Sequence, residues 1–368
     1  MLAALEQVLN GRASALLPVP ADDDHKSTLS ALRVGEAIDD DVALVVTTSG
    51  TTGAPKGALL TAAALSASAA ATHDRLGGPG QWLLALPPYH IAGVQVLVRS
   101  LLAGNVPAEL DISAGFDIHQ LPSAVLELGS GRRYTALVAA QLAKALTDPA
   151  ATAALAGLDA VLIGGGPAPR PILDAATGAG INVVRTYGMS ETAGGCVYDG
   201  VPLDGVQVRV DADGRIVIGG PTLAEGYRNP PDPDPFAEPG WFRTDDLGVV
   251  DDSGVLSVLG RVDDAISTGG LTVLPQPVEA ALRTHPAVAD CAVFGLTDER
   301  LGQRVVAAVV VADGFAPPSL DTLREHVIRK LDRTAAPREL HIVDALPMRG
   351  IGKVDRQAVA RVAANRLS

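Results

Sequence analysis

The chain has 368 residues, 47% of them hydrophobic and only 3% aromatic, with a formal net charge of −13. That length exceeds what one core usually serves, so two domains are expected, and the acidic balance argues against nucleic acid or an anionic membrane as a partner. No basic-flanked leader and no apolar run of about 18 residues occurs, so a cytoplasmic protein without a membrane span is expected. Cys196 and Cys291 lie far apart without metal spacing and read as reduced core thiols.

In chain order, residues 42–46 form an apolar strand, 61–71 an alanine-rich helix, 82–86 a strand and 93–103 a helix. Strand-like and helix-like runs alternate through 134–138, 141–146, 160–163 and 181–184, the pattern of parallel-type α/β layers. Beyond residue 200, short strands at 206–210 and 215–218 around the turn Asp213-Gly214 predict a small, mostly antiparallel β-subdomain. Residues 229–240, NPPDPDPFAEPG, are a proline-punctuated loop that cannot pair as a central strand. Strands at 288–294 and 305–311, a helix at 319–331, a strand at 339–343 and a helix from Arg356 complete the chain. Their own apolar periodicity predicts a small α+β C-terminal domain, 262–368, after a large N-terminal domain, 1–261.

Residues 47–57 read TTSGTTGAPKG and leave the first strand. Hydroxyls and glycines closed by one lysine make a donor-rich turn suited to a polyphosphate, so ATP is the first substrate to suspect. A Walker loop is excluded, because Pro55 stands at its second glycine and Gly57 at its Mg²⁺-holding hydroxyl. The string instead resembles the phosphate loop of the adenylate-forming enzymes, the superfamily of acyl-CoA synthetases, luciferases and peptide-synthetase adenylation domains. That resemblance implies ATP contacts from Thr47, Thr48, Ser49, Gly50, Thr51, Thr52, Gly53 and Lys56, with Lys56 also catalytic.

Further segments match the superfamily in order, so the resemblance covers residues 41–353. AVLIGGGPAP, a strand running into three glycines, implies Gly165 and Gly166 as backbone that approaches a flat base. TYGMSETAGG lacks the final glycine of a nucleophile elbow; the resemblance assigns Tyr187 to adenine, Ser190 to the α-phosphate, and Glu191 to catalysis and to Mg²⁺. WFRTDDLG implies Asp246 on the ribose hydroxyls, while Asp245 stands where the family usually has glycine and is expected to face water. In GRVDDAISTGG, Arg261 resembles a second ribose contact, Asp263 the interdomain hinge, and Gly269 and Gly270 a turn along the CoA route. PMRGIGKVDR implies Lys353 as the catalytic lysine that reaches the carboxylate and α-phosphate during adenylation.

LPPYHIAG resembles the loop in which His90 gates the acyl pocket, and Arg99 follows on the next helix. An arginine inside an apolar pocket needs an anion. An arginine at this offset grips the carboxylate that is not activated in the o-succinylbenzoate:CoA ligases of menaquinone biosynthesis, the subfamily this chain resembles. The implied substrates are ATP, CoA and an aryl dicarboxylic acid, with Mg²⁺ as cofactor, joined through an acyl-adenylate. Most members carry a long segment ahead of the phosphate loop, so the N-terminal part is expected to be truncated, which favours a compact acid and a homodimer that covers exposed core. The alternatives are a CoA ligase for another small aryl or short-chain acid, a carrier-protein-loading adenylating enzyme, and a non-catalytic nucleotide-binding module.

Overall fold

The computed structural model describes residues 1–21, 25–48, 55–349 and 353–365. The chain divides into two compact units: Met1–Arg209 with Val217–Thr244 and Asp251–Leu256, and Val210–Ile216 with Asp245–Val250 and Ser257–Ser368.

In the first unit, a seven-stranded sheet runs in the order Ala108–Glu109, Gln81–Leu84, Arg133–Val138, Ala160–Gly164, Val183–Met189, Gly194–Tyr198, Val201–Pro202. Its first five strands are parallel and the last two turn back antiparallel. The central strands Arg133–Val138 and Ala160–Gly164 are nearly continuous buried runs, as strands covered on both faces must be. Leu83, Leu137, Val161 and Ile163 pack with Leu121, Leu142 and Leu155 from the helices alongside.

Two helices prepare one end of this unit. Ala62–Leu76 begins where Thr61 Oγ1 accepts from the Ala64 amide at 3.0 Å and ends at Gly77, φ 88°. Its small residues admit close packing, and its buried face carries Ser68, Thr72 and His73 beside Leu65. Ile91–Leu102 folds tightly onto the preceding loop, since a Cβ on Gly93 would lie 2.2 Å from the Pro87 carbonyl oxygen. This otherwise apolar helix buries Gln95, Arg99 and Ser100. Polar side chains on interior faces cost stability unless partnered; Gln95 donates to the Leu65 and Ala193 carbonyls, Arg99 to Tyr198 Oη and Ser100 to the Val96 carbonyl.

One strand departs from expectation. Residues 42–46 belong to Val42–Thr48, which pairs antiparallel with Lys56–Thr61 in a separate two-stranded sheet and lies outside the parallel layer. The strand Lys56–Thr61 was hidden because a loop motif overlaps its start and its apolar residues run straight into the next helix.

The strands Gln207–Val210, Arg215–Gly219, Trp241–Val250 and Leu256–Arg261 form a four-stranded sheet in chain order. In the second unit, Val288–Asp298 and Gly302–Val311 form a long antiparallel ribbon whose alternating side chains are buried on both faces. Val293, Val305, Ala307 and Val309 meet the helices Pro275–Leu282 and Leu320–Ile328, while Ala292, Phe294, Val306 and Ala308 meet Val359 of the helix Arg356–Asn365.

A buried charge cluster ties that last helix down. Glu279 is 2% exposed; both of its carboxylate oxygens accept from Arg356 Nη2 at 2.9 Å, and Oε1 also accepts from the Val293 amide. Arg356 Nη1 reaches Asp264 at 2.9 Å. Removing the Glu279 carboxylate leaves Arg356 with Asp264 alone and the buried Val293 amide without its acceptor, so Glu279→Ala is expected to cost about 2–3 kcal/mol in urea unfolding followed within the second unit. A loss below about 1 kcal/mol would mean that water screens the pair.

Candidate active site

The phosphate end is built around Lys56. Thr47 faces Gly57 and Thr48 faces Lys56 across the hairpin; Ser49, Gly50, Thr51, Thr52 and Gly53 lie outside the described residues. Lys56 Nζ stands 5.5 Å from the centroid of the Tyr227 ring, within cation–π range. Tyr227 Oη donates to Glu191 Oε1 at 2.5 Å, and Glu191 is only 7% exposed. A cation and a carboxylate from distant parts of the chain are thus joined through one phenol.

Backbone pairing fixes this arrangement. Tyr227 bridges Ala58 antiparallel, the Leu59 amide donates to the Gly226 carbonyl, and the Arg228 amide donates to the Gly57 carbonyl. Asn229 grips the end of the loop, accepting from the Gly57 amide at 3.2 Å and donating to the Pro55 carbonyl at 2.7 Å. Glu191 sits in the short turn Ser190–Thr192, whose backbone is held by the Thr192 hydroxyl on Gly194 and by Ala193 at φ 49°. Such a left-handed alanine persists only where its surroundings hold it, and here its carbonyl accepts from both Ser68 Oγ and Gln95 Nε2. Tyr227 and Asn229 are absent from the sequence reading; the only signal for them is a short AEGYRN run ahead of the proline-rich loop.

Gly165 follows the end of the strand Ala160–Gly164, and Tyr187 lies in the neighbouring strand Val183–Met189, just beyond the stretch paired with it. The register pairs Ile163 with Arg185, and both residues stand two positions further on, at the carboxyl edge of the parallel strands where α/β sheets bind ligands. Gly165 takes φ 80°, and a Cβ on Gly166 would meet nothing within 4 Å, so the backbone there is open to a flat ligand.

In the second unit Arg261 gathers three carboxylates: Asp263 at 2.7 Å, Asp245 at 3.5 Å and Asp246 at 3.6 Å. Burial works against the charge of Arg261, but the three carboxylates outweigh it and hold its pKa above the ordinary value. Asp245 does more than face water, because it also binds Arg215 at 3.1 Å and so links two arginines. Gly269 and Gly270, at φ 60° and 78°, form the two-residue turn between Ile266–Thr268 and Leu271–Val273, a geometry with positive φ at both positions. Lys353 begins a short strand paired with Met348–Arg349.

At the acyl end, His90 is exposed at the start of the helix Ile91–Leu102, its ring 4.7 Å from that of Tyr89. Arg99 is 3% exposed and is not a surface residue. Its Nη2 donates to Tyr198 Oη at 3.3 Å, its guanidinium lies 4.9 Å from the centroid of Trp82, and its buried Nε has no acceptor among the described residues. Burial pulls its pKa below the ordinary value. Arg99 lies nine residues beyond His90, about 13 Å along a helix axis.

Behind Trp82, its indole N–H donates to His73 Nε2 at 3.3 Å. Burial first, and the charge of Arg99 next, push His73 down to about 4, with Asp74 opposing. A depressed histidine pKa means that the unfolded chain binds the extra proton, so this contribution is present above about pH 6.5 and is lost as pH falls toward 4. In pH-dependent urea unfolding, His73→Gln is expected to remove on the order of 2 kcal/mol of the stability lost over that window. Identical pH slopes for the two proteins would contradict a buried neutral imidazole.

A parallel α/β sheet with glycines at its carboxyl edge, Lys56 beside the Tyr227–Glu191 pair, and a separate small α+β unit fit the class of adenylating enzymes. The chain belongs to the AMP-binding enzymes: the family model matches residues 6–228, and the model of the AMP-binding enzyme C-terminal domain matches residues 277–353. It is 76% identical over 363 residues to the probable 2-succinylbenzoate–CoA ligase of Mycobacterium tuberculosis, covering 98% of this chain and 94% of that one. It is also similar to o-succinylbenzoate CoA synthetase from Bacillus subtilis in complex with the acyl-adenylate intermediate, with TM-score 0.76, 27% identity, and 98% and 81% of the two chains covered. The same Bacillus subtilis enzyme in complex with ATP and magnesium ion matches with TM-score 0.72 and 29% identity over 86% of this chain and 69% of that one. No helix among the described residues is long and apolar enough to cross a membrane.

Proposed function

We infer that this chain is an ATP-dependent ligase that joins 2-succinylbenzoate to CoA through an acyl-adenylate, releasing AMP and pyrophosphate. The observation that carries the reading is the buried Arg99, a cation with no carboxylate partner among the described residues, inside a chain so close to a ligase for an aryl dicarboxylate. One carboxylate of that acid reacts, and the other meets Arg99.

In the first half, an oxygen of the succinyl carboxylate attacks the α-phosphorus of ATP, and the bond to the bridging oxygen of pyrophosphate breaks. Lys56 and the loop amides take the β- and γ-phosphates, Ser190 the α-phosphate, Tyr187 and the Gly165-Gly166 backbone the adenine, and Asp246 with Arg261 the ribose. Glu191 is a single buried carboxylate, and no group of three or more His, Cys, Asp or Glu side chains that could hold a metal occurs among the described residues. That fits Mg²⁺, which takes one or two carboxylates and leaves its other positions to phosphate and water; when bound it neutralises phosphate charge. Tyr227 keeps Glu191 in place by its hydrogen bond.

In the second half, the CoA thiolate attacks the acyl carbon, the carbon–sulfur bond forms, and AMP leaves with the anhydride oxygen. The C-terminal domain turns about Asp263 between halves, exchanging Lys353 for the Gly269-Gly270 turn beside CoA. A cytoplasmic setting suits Cys196 and Cys291, buried thiols each pushed up to about 12, chiefly by burial, and so poor nucleophiles.

The test is product analysis with a panel of carboxylic acids, with and without CoA. The reading expects pyrophosphate to depend on 2-succinylbenzoate and ATP, and AMP with thioester to appear only when CoA is added, and equal turnover of simple monocarboxylic acids would overturn it.

A further inference from the structure

We propose that Tyr198 and Trp82 are positioning residues that hold the Arg99 guanidinium, still charged, for the ring carboxylate of the aryl dicarboxylic acid. The proposal rests on the reading of Arg99 given above and names the groups that make it selective.

A free arginine side chain samples many rotamers and loses that freedom when it binds, so an arginine held in advance binds more tightly. Tyr198 and Trp82 restrain Arg99 from two sides, one through a hydroxyl at 3.3 Å and the other through a ring face at 4.9 Å. Arg99 can only donate, so the Tyr198 hydroxyl accepts from it. Thr72 Oγ1 places its single proton on the Ser68 carbonyl at 2.9 Å, which leaves it the acceptor for the Tyr198 proton, 2.9 Å away. A relay fixed at its far end by a backbone carbonyl therefore presents lone pairs to Arg99.

Every member of this cage is neutral. A carboxylate in the place of Tyr198 would hold the arginine equally well and cancel the charge the substrate needs. His73, on the far side of Trp82, is kept neutral by burial and by Arg99 itself. The Arg99 Nε–H is buried and has no acceptor among the described residues, so it is the donor that a carboxylate would satisfy. Trp82 and Tyr198 are fully buried at 0% exposure, so neither is a surface feature that happens to lie nearby.

The experiment measures KM and kcat for 2-succinylbenzoate and for 4-oxo-4-phenylbutanoate, the same acid without its ring carboxylate, in wild type, Tyr198→Phe, Thr72→Val and Arg99→Ala. Tyr198→Phe deletes one hydroxyl and keeps the packing. It is expected to raise KM for the diacid about 5-fold with kcat and the KM for ATP little changed, and to leave KM for the ring-carboxylate-free acid unaltered. Thr72→Val, which removes the acceptor for the tyrosine proton, should shift the same parameter in the same direction. Equal effects on both acids, or none on either, would overturn the positioning role. If Arg99→Ala fails to distinguish the two acids, the reading of Arg99 itself falls, whatever Tyr198→Phe shows.

Discussion

Arg99→Ala is expected to raise the KM for 2-succinylbenzoate about 100-fold while the KM for ATP stays within about twofold. A buried, charge-assisted pairing with a carboxylate supplies about 3 kcal/mol, and each 1.4 kcal/mol is about a factor of ten. The phosphate end draws on Lys56, Tyr227 and Glu191, none of which touches Arg99, so nucleotide binding has no reason to change. Stability should change little, because the substitution removes packing against Trp82 and also removes an interior cation without a counter-ion. Steady-state kinetics with each substrate varied in turn, together with thermal unfolding, separates these effects. Unchanged KM for the acid would remove Arg99 from the substrate site.

Lys353→Ala is expected to slow adenylation roughly 100- to 1000-fold, the usual effect of removing one group aimed at developing charge. Thioester formation from supplied acyl-adenylate should stay within a few-fold of wild type, because the role proposed for Lys353 is confined to the first half. The Asp355 amide donates to the Pro347 carbonyl, and Arg356 is locked to Glu279 and Asp264, so the hairpin is anchored independently of residue 353. Pyrophosphate release and single-turnover thioester formation measure the halves separately. Equal loss in both would contradict a lysine that works in one half alone.

Much of this was legible in the sequence because it is local. The parallel strands Arg133–Val138 and Ala160–Gly164 are apolar runs bounded by helical stretches, and both are where periodicity places them. The resemblance of the phosphate loop and of TYGMSETAGG to an adenylate-forming enzyme agrees with the family the chain belongs to. What stayed hidden is long-range. Tyr227 reaches Glu191 only because residues 226–228 pair beside the strand Lys56–Thr61, a contact across more than 160 positions with no spacing signature. Arg99 shows in the sequence as an arginine on an apolar helix, but Trp82 and Tyr198 come from separate strands, and their convergence on it is a product of packing. Asp245 is exposed, as expected, and its link to Arg215 stayed hidden because that partner lies on another strand. The antiparallel pairing of Val42–Thr48 could not be read from its composition, since an apolar β-branched run suits either direction.

The central claim is that ATP is cleaved between its α- and β-phosphates by a carboxylate of the acid. It is tested most directly by incubating the purified protein with 2-succinylbenzoate and α-phosphate-labelled ATP without CoA, then adding CoA. The expected result is a labelled acyl-adenylate formed in step with pyrophosphate, discharged to AMP and thioester when CoA arrives. Formation of ADP and phosphate, or of AMP without the acid, would contradict it.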